Sequence, residues 1–282
     1  MENGKDRIIV VAFLILVIII VSSFLFKSYT ARDESWNYQQ LSLFSHNESN
    51  FSFTYSGDER NDEGKFKRMI EHINTNYPYI LFNINGGDMR SDALQLEGFL
   101  DEYLSPSTVT QFNKPVMFLI GNHELTNDPN GYIYGSLFGT PTYYNFTENN
   151  SYFIVIDNAG GYLNETQMQW LKDQLVQSQK YKYRFVFMHK PLYTPNNGGD
   201  EHSMNTEGPG GADALRTLFD SSNVTMIFSS HIHNYYNGTW GRTPFIISGG
   251  AGSPAEPNHP PYYHYIVVNV NNEEVTYSVV RY

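Results

Sequence analysis

The sequence predicts an α/β fold, and three observations carry that expectation. From Phe51 onward, apolar runs of strand length alternate with segments of helical spacing, in the order strand, helix, strand, helix, strand. That order belongs to parallel units whose strands are covered on both faces, and the unbroken run Pro115-Val-Met-Phe-Leu-Ile120 reads as one such buried strand. The runs also end on glycine followed by residues that carry chemistry: Gly57-Asp58, Gly87-Asp88 and Gly121-Asn122-His123-Glu124. With 282 residues, 40% of them hydrophobic and 16% aromatic, the chain can form a full core. It has no cysteine, which removes disulfides, thiolate metal sites and cysteine nucleophiles.

Residues 1–7 form a short lead of mixed charge. Residues 8–26 are apolar except for Ser22 and Ser23, which is close to the roughly 20 residues a helix needs to cross a bilayer. A cleaved signal would have a shorter apolar region and a small-residue cleavage site, so the expectation is a single N-terminal anchor. Lys5 and Arg7 before the run are balanced by Lys27 and Arg32 after it, and charge alone does not orient it. The expected orientation is extracytoplasmic, from the general use of such anchors. Residues 27–50 lack clear periodicity and read as a linker, and 51–282 as the globular domain.

Within that domain, Phe51-Ser-Phe-Thr-Tyr-Ser is a strand stopping at Gly57-Asp58. Phe66, Met69, Ile70 and Ile73 give residues 63–75 helical spacing. Residues 79–85 form a second strand, ending at Gly86-Gly87-Asp88, and 93–104 an amphipathic helix bearing Leu94, Leu96, Phe99, Leu100 and Tyr103. After the strand at 115–120, residues 132–152 read as a loop rich in Tyr and Gly. Strands are predicted at 152–157, at 183–188 before His189, at 224–230 before His231-Ile232-His233, and at 245–248 before Gly249. Helices are predicted at 164–177 and 212–219, and a closing hairpin pairs 265–270 with 274–280 around Asn271-Asn272.

Five strand ends therefore carry Asp58, Asp88, Asn122-His123, His189 and His231-x-His233. In parallel sheets, sites gather at the carboxyl ends of strands. Carboxylates, imidazoles and an amide oxygen form a mixed oxygen and nitrogen shell suited to Mn, Fe, Zn or Mg-like ions. Taken singly, each residue is as well explained by a turn or a half-buried loop; their joint occurrence at successive strand ends carries the expectation. His46, His72, His202, His259 and His264 have no comparable setting. A net charge of -11, with only 18 Lys and Arg, argues against a broad nucleic-acid face. Two Asp, an Asn and three His exceed what one tetrahedral ion needs and match a pair of ions, a device that recurs in phosphatases; the partners expected are therefore a phosphate ester and, through 8–26, a membrane, and oligomeric state is not legible.

Gly57-Asp58, Gly87-Asp88, Gly121-Asn122-His123-Glu124, His189 and Ser230-His231-Ile232-His233, in that order, resemble the calcineurin-like metallophosphoesterase superfamily. Residues 143–175, with Gln169-Trp170-Leu171, and the loop Gly249-Gly-Ala-Gly resemble its purple-acid-phosphatase-like branch. The resemblance implies a four-layer αββα sandwich and phosphoester hydrolysis by a metal-bound hydroxide at a two-metal site. It implies that Asp88 bridges both ions, that Asp58 and His233 hold one, and that Asn122, His189 and His231 hold the other. His123 would stand near the leaving group, oriented by an acidic neighbour.

Two positions depart from the pattern. Asp58-Glu59-Arg60 replaces the usual Asp-x-His, and a guanidinium cannot ligate a metal but can hold a phosphate. Ser230 replaces a glycine, with little effect expected, and Asn61 or Asp62 offers a substitute ligand. Three readings follow: a two-metal phosphoesterase as the principal one, a weakened surface binding module that kept the fold, and an enzyme using one metal only.

Overall fold

The computed structural model describes residues 35–43, 50–60, 63–105, 111–195, 202–254 and 262–282. The expected anchor at 8–26 lies outside these residues, as do the lead at 1–7, His46, Asn61, Asp62 and His259. Among the described residues no helix is long and apolar enough to cross a membrane.

Two sheets are formed. One has the order β11-β10-β1-β2-β3, with β1 Phe51–Ser56, β2 Phe82–Asn85, β3 Val116–Phe118, β10 His264–Val270 and β11 Val275–Arg281. The other has the order β4-β5-β6-β7-β9-β8, with β4 Tyr144–Glu148, β5 Ser151–Val155, β6 Tyr183–Phe187, β7 Met226–Ser229, β8 Tyr235–Trp240 and β9 Thr243–Ser248. β1, β2 and β3 are parallel, as are β5, β6, β7 and β9. All these strands therefore deliver their carboxyl ends to one side of their sheet.

The period of two along a strand decides the layers. Phe185 and Phe187 of β6 turn into the cluster between the sheets with Phe53, Tyr55, Phe82, Phe153 and Phe228. Val186, between them, turns outward to meet Leu171 and Leu175 of the helix Glu165–Gln177 and Leu215 and Phe219 of the helix Ala212–Ser221. On the far side, Tyr265 and Val267 of β10 meet Phe66, Met69 and Ile70 of the helix Glu63–Asn76 and Phe99 of the helix Leu96–Tyr103. Helices thus pack on the outer face of each sheet. The inner layer is aromatic: Phe53 stacks on Phe82 at 5.3 Å and Phe187 on Phe228 at 4.9 Å between ring centres.

Three segments differ from expectation. The stretch 132–152 contains a helix, Tyr132–Phe138, and the edge strand β4. Tyr134 and Phe138 are fully buried on the helix and stack on one another, so tertiary packing orders a segment whose Gly-Tyr composition reads as loop. Leu94, placed on an apolar face, is 67% exposed because the helix proper begins two residues later. The third is the stretch 35–43 of the expected linker.

Within the expected linker, Trp36–Leu41 is a helix docked on the open edge of β3. Asn37 donates to the Phe118 carbonyl at 3.0 Å and accepts from the Phe118 N–H at 2.8 Å, as a neighbouring strand would. Trp36 donates to Val116 O at 2.8 Å and Gln40 accepts from Val116 N at 3.2 Å. Three side chains thereby cap an edge that would otherwise offer itself for pairing. Asn37→Ala leaves the buried Phe118 N–H without its acceptor, and a loss of about 1–3 kcal/mol is expected by denaturant titration. An unchanged midpoint would remove the helix's role as a cap.

Candidate metal centre

Every candidate ligand follows directly on a strand or sits one short turn beyond it. Asp58, Asp88 and His231 have φ of 64°, 58° and 67°, and Arg60 has 46°, all in the left-handed region that non-glycine residues seldom occupy. Such backbone is retained where the surroundings over-determine it, and here they do. Asp58 N donates to Gly87 O at 3.0 Å, Arg60 N to Asp88 O at 3.1 Å, and His231 N to the Asp58 carboxylate at 2.7 Å. The glycines permit the approach: a Cβ on Gly121 would stand 2.3 Å from Asp88 Oδ1, and one on Gly249 2.8 Å from Asp58 Oδ2.

The structure brings Asp88, Asn122, His189 and His231 into one cluster. His189 Nε2 lies 3.0 Å from Asn122 Oδ1, 3.2 Å from His231 Nδ1 and 3.3 Å from Asp88 Oδ1. Ligands about 2.0–2.1 Å from a common ion stand about 3.0–3.4 Å from each other, so these separations are those of a ligand shell. The other ring nitrogen of His189, Nδ1, donates to Gly86 O at 2.8 Å, which turns Nε2 to the cluster and leaves it the ligating atom.

Asp58 and His233 form a second group, with Asp58 Oδ1 3.5 Å from His233 Nε2. Both atoms are buried without a hydrogen bond among the described residues, as is Asp88 Oδ2. Buried donors and acceptors left in that state are ones that await a partner. The residues present therefore fit a metal, and most fully at the Asp88, Asn122, His189 and His231 cluster.

Electrostatics tie the cluster together. Burial works against a charge on His189, but the Asp88 charge and hydrogen bond outweigh it and hold the imidazole up at about 9. Burial and the neighbouring His189 push His231 down to about 3. Burial opposes the Asp88 charge too, yet His189 and His123 hold its carboxyl well below the usual range.

His123 points Nε2 toward Asp88 Oδ2 at 3.8 Å, while its Nδ1 donates to Ser91 O at 3.0 Å. Glu124 does not orient it. Its carboxylate instead accepts from the N–H groups of Gly121 (2.7 Å), Asp88 (2.8 Å) and Met89 (2.9 Å), tying the β2 and β3 loops together. Arg60 Nη2 stands 3.7 Å from Asp88 Oδ2. Ser230 carries more than the expected minor role, since its hydroxyl donates to Gly86 O at 2.6 Å and so links the two sheets.

Sequence reasoning missed three residues. Asn158, fully buried just past β5, accepts from His189 N at 2.8 Å and donates to Lys190 O at 2.7 Å. The strand running into Asp157-Asn158 carried the same strand-end signal as the other ligand positions. Glu59 is buried, accepts from Asn85 Nδ2 at 2.9 Å, and has its carboxyl pushed well up by burial; a Glu beside Asp58 in a turn gives no sign of this. His202 lies with its ring 5.7 Å from that of His231.

Fold and cluster together define a class of protein: an α/β pair of sheets with metal-type ligands at the carboxyl ends of its parallel strands. The chain belongs to the calcineurin-like phosphoesterase family, whose family model matches residues 57–235. It is 25% identical over 150 residues to the serine/threonine-protein phosphatase CPPED1 of Homo sapiens, covering 49% of this chain and 48% of that one. The chain thus aligns with about half the length of the curated relatives it matches. Among solved structures, the purple acid phosphatase PPD1 of yellow lupin (Lupinus luteus) seeds superposes with a TM-score of 0.63 at 16% identity, over 84% of this chain and 52% of that one. A dimetal phosphatase from Danio rerio gives 0.57 at 13% identity, over 82% and 96%. At these identities the two structures show a shared fold.

Proposed function

We propose that this chain is a metal-dependent phosphoester hydrolase. The observation that carries the reading is the convergence of Asp88, Asn122, His189 and His231 around His189 Nε2 at separations of 3.0–3.3 Å. When bound, the metal supplies the charge that polarises phosphoryl oxygens and acidifies an attacking water. In the two-ion form of this reading, Asp58 and His233 would hold a first ion, Asn122, His189 and His231 would hold a second, and Asp88 would serve both. His123 presents Nε2 to the leaving group, its other nitrogen fixed by the Ser91 carbonyl. Arg60 offers its planar fork to the substrate phosphate. The apolar run 8–26 supports a further part of the proposal, a membrane anchor with the catalytic domain on the extracytoplasmic side.

The test is cleavage of a phosphomonoester and a phosphodiester by the purified chain with added Mn, Fe or Zn, and its loss on chelation. A protein that binds ions yet cleaves neither ester with any of them would be the binding module instead. The pH dependence is also fixed in sign. The proton held on His189 up to about 9 has to leave before the ring ligates. Metal affinity is therefore expected to strengthen as pH rises toward that value, with proton release on binding, measurable by calorimetry in two buffers. Affinity that is flat between pH 6 and 9 would rule this out.

A further inference from the structure

We propose that Arg60 takes the place of the first metal ion, so that the chain holds one ion among Asp88, Asn122, His189 and His231 and uses the guanidinium as its second, permanent cation. This rests on the metal-dependent reading of the site given above.

The two oxygens of Asp88 face different partners. Oδ1 looks into the four-residue cluster, 3.3 Å from His189 Nε2. Oδ2, the oxygen a first ion would share, has Arg60 Nη2 at 3.7 Å. The guanidinium is delivered there by its backbone. Arg60 N donates to Asp88 O at 3.1 Å, and Arg60 O accepts from Arg90 Nη1 at 3.3 Å. Arg90 is itself buried and paired with Glu102. A left-handed φ of 46° held from both ends fixes the direction in which the side chain leaves. Arg60 is 29% exposed along its side chain, so one part stays open to an incoming anion while Nε is buried.

An ion at the first position would have Asp58 Oδ1, His233 Nε2 and a share of Asp88 Oδ2, with a fixed positive charge beside the shared oxygen. The charge repels a divalent cation, and the missing imidazole of the usual Asp-x-His deprives it of a ligand. The cluster around His189 keeps all four of its ligands. For a phosphate ester the exchange preserves the clamp: one side of the phosphoryl group meets the ion, the other a bidentate guanidinium. Asp58 Oδ1 and His233 Nε2, 3.5 Å apart, then face each other with no ion between them.

The experiment is a metal count on the full-length chain by mass spectrometry, after equilibration with Mn²⁺ or Zn²⁺ and removal of loose ions. Melting temperatures show which variants are folded. The expected counts are one ion per chain for the natural protein, two for Arg60→His, one for Asp58→Asn and none for His189→Gln. Two ions in the natural protein, or an Arg60→His variant that stays at one, would overturn the proposal. Ester cleavage is scored separately. One ion without cleavage of any phosphate ester removes the hydrolase reading and leaves the replacement standing; two ions with cleavage does the reverse.

Discussion

Asp88→Asn is expected to lower phosphoester hydrolysis by at least about 1000-fold, about 4 kcal/mol of transition-state stabilisation, while the protein stays folded. Asp88 faces His189, Arg60 and His123 at once. Its Oδ1 lies 3.3 Å from His189 and its Oδ2 lies 3.7 Å from Arg60 and 3.8 Å from His123. An amide has nearly the same shape but carries no charge and turns an NH₂ toward one of those partners, all of which are donors or cations. The metal loses an anionic ligand and Arg60 loses its counter-charge in a site that is 0% exposed at Asp88. The fold is expected to survive the loss of that charge. The turn is held by backbone bonds from Asp88 N to Glu124 and from Arg60 N to Asp88 O, and both survive the change. Steady-state rates on a phosphomonoester, with a thermal melt and a metal count on the same sample, give the answer. Retained activity within tenfold of the natural protein would sink the assignment.

Glu124→Ala is expected to act first on stability. The buried carboxylate accepts three backbone N–H groups, from Gly121, Asp88 and Met89, and alanine leaves all three in the interior without an acceptor. At about 1–3 kcal/mol for each unsatisfied group, the loss is at least about 3 kcal/mol, a large part of the 5–15 kcal/mol typical of a domain. Burial and the nearby Asp88 charge push the Glu124 carboxyl up, and the N–H bonds pull the other way. Glu124→Gln keeps an acceptor oxygen but sets its NH₂ against a backbone donor, so an intermediate loss is expected. Denaturant midpoints rank the three proteins. If the alanine variant unfolds at the natural midpoint, these bonds do not hold the loops, and Asp88 must be positioned by other means.

These two residues also mark how far a sequence can be read. Asp88 was legible because its signal is local: an apolar strand, two glycines and a carboxylate at the strand's carboxyl end. Asn122, His189 and His231 were found by the same rule, and the parallel strands bring all of them to one cluster. Glu124 was legible as part of the Gly-Asn-His-Glu stretch, but its partner was not. Which donors a carboxylate meets depends on where the β2 loop stands beside the β3 loop, and nothing in the spacing of 36 residues between Asp88 and Glu124 specifies that. Asn158 carried a strand-end signal and was passed over, whereas Glu59 carried none. The helix Trp36–Leu41 lies in a stretch without helical periodicity: side-chain hydrogen bonds to a strand edge hold it, and of its residues only Trp36 and Leu41 pack on the apolar clusters.

The sequence by itself determined the alternation of strands and helices, the strand ends that carry chemistry, and the substitution of Arg60 for an imidazole. Periodicity and glycine placement are local properties, and burial of apolar faces forces them into layers. Only the tertiary structure decided that His189 Nε2 looks at three ligands while Nδ1 is spent on Gly86, that Ser230 joins the sheets, and that Arg60 stands against Asp88 Oδ2. The first two are contacts between sheets, joining residues up to 144 positions apart, and the third joins the loops after two neighbouring strands; a chain written in one dimension contains neither the angle at which two faces meet nor the course of a loop.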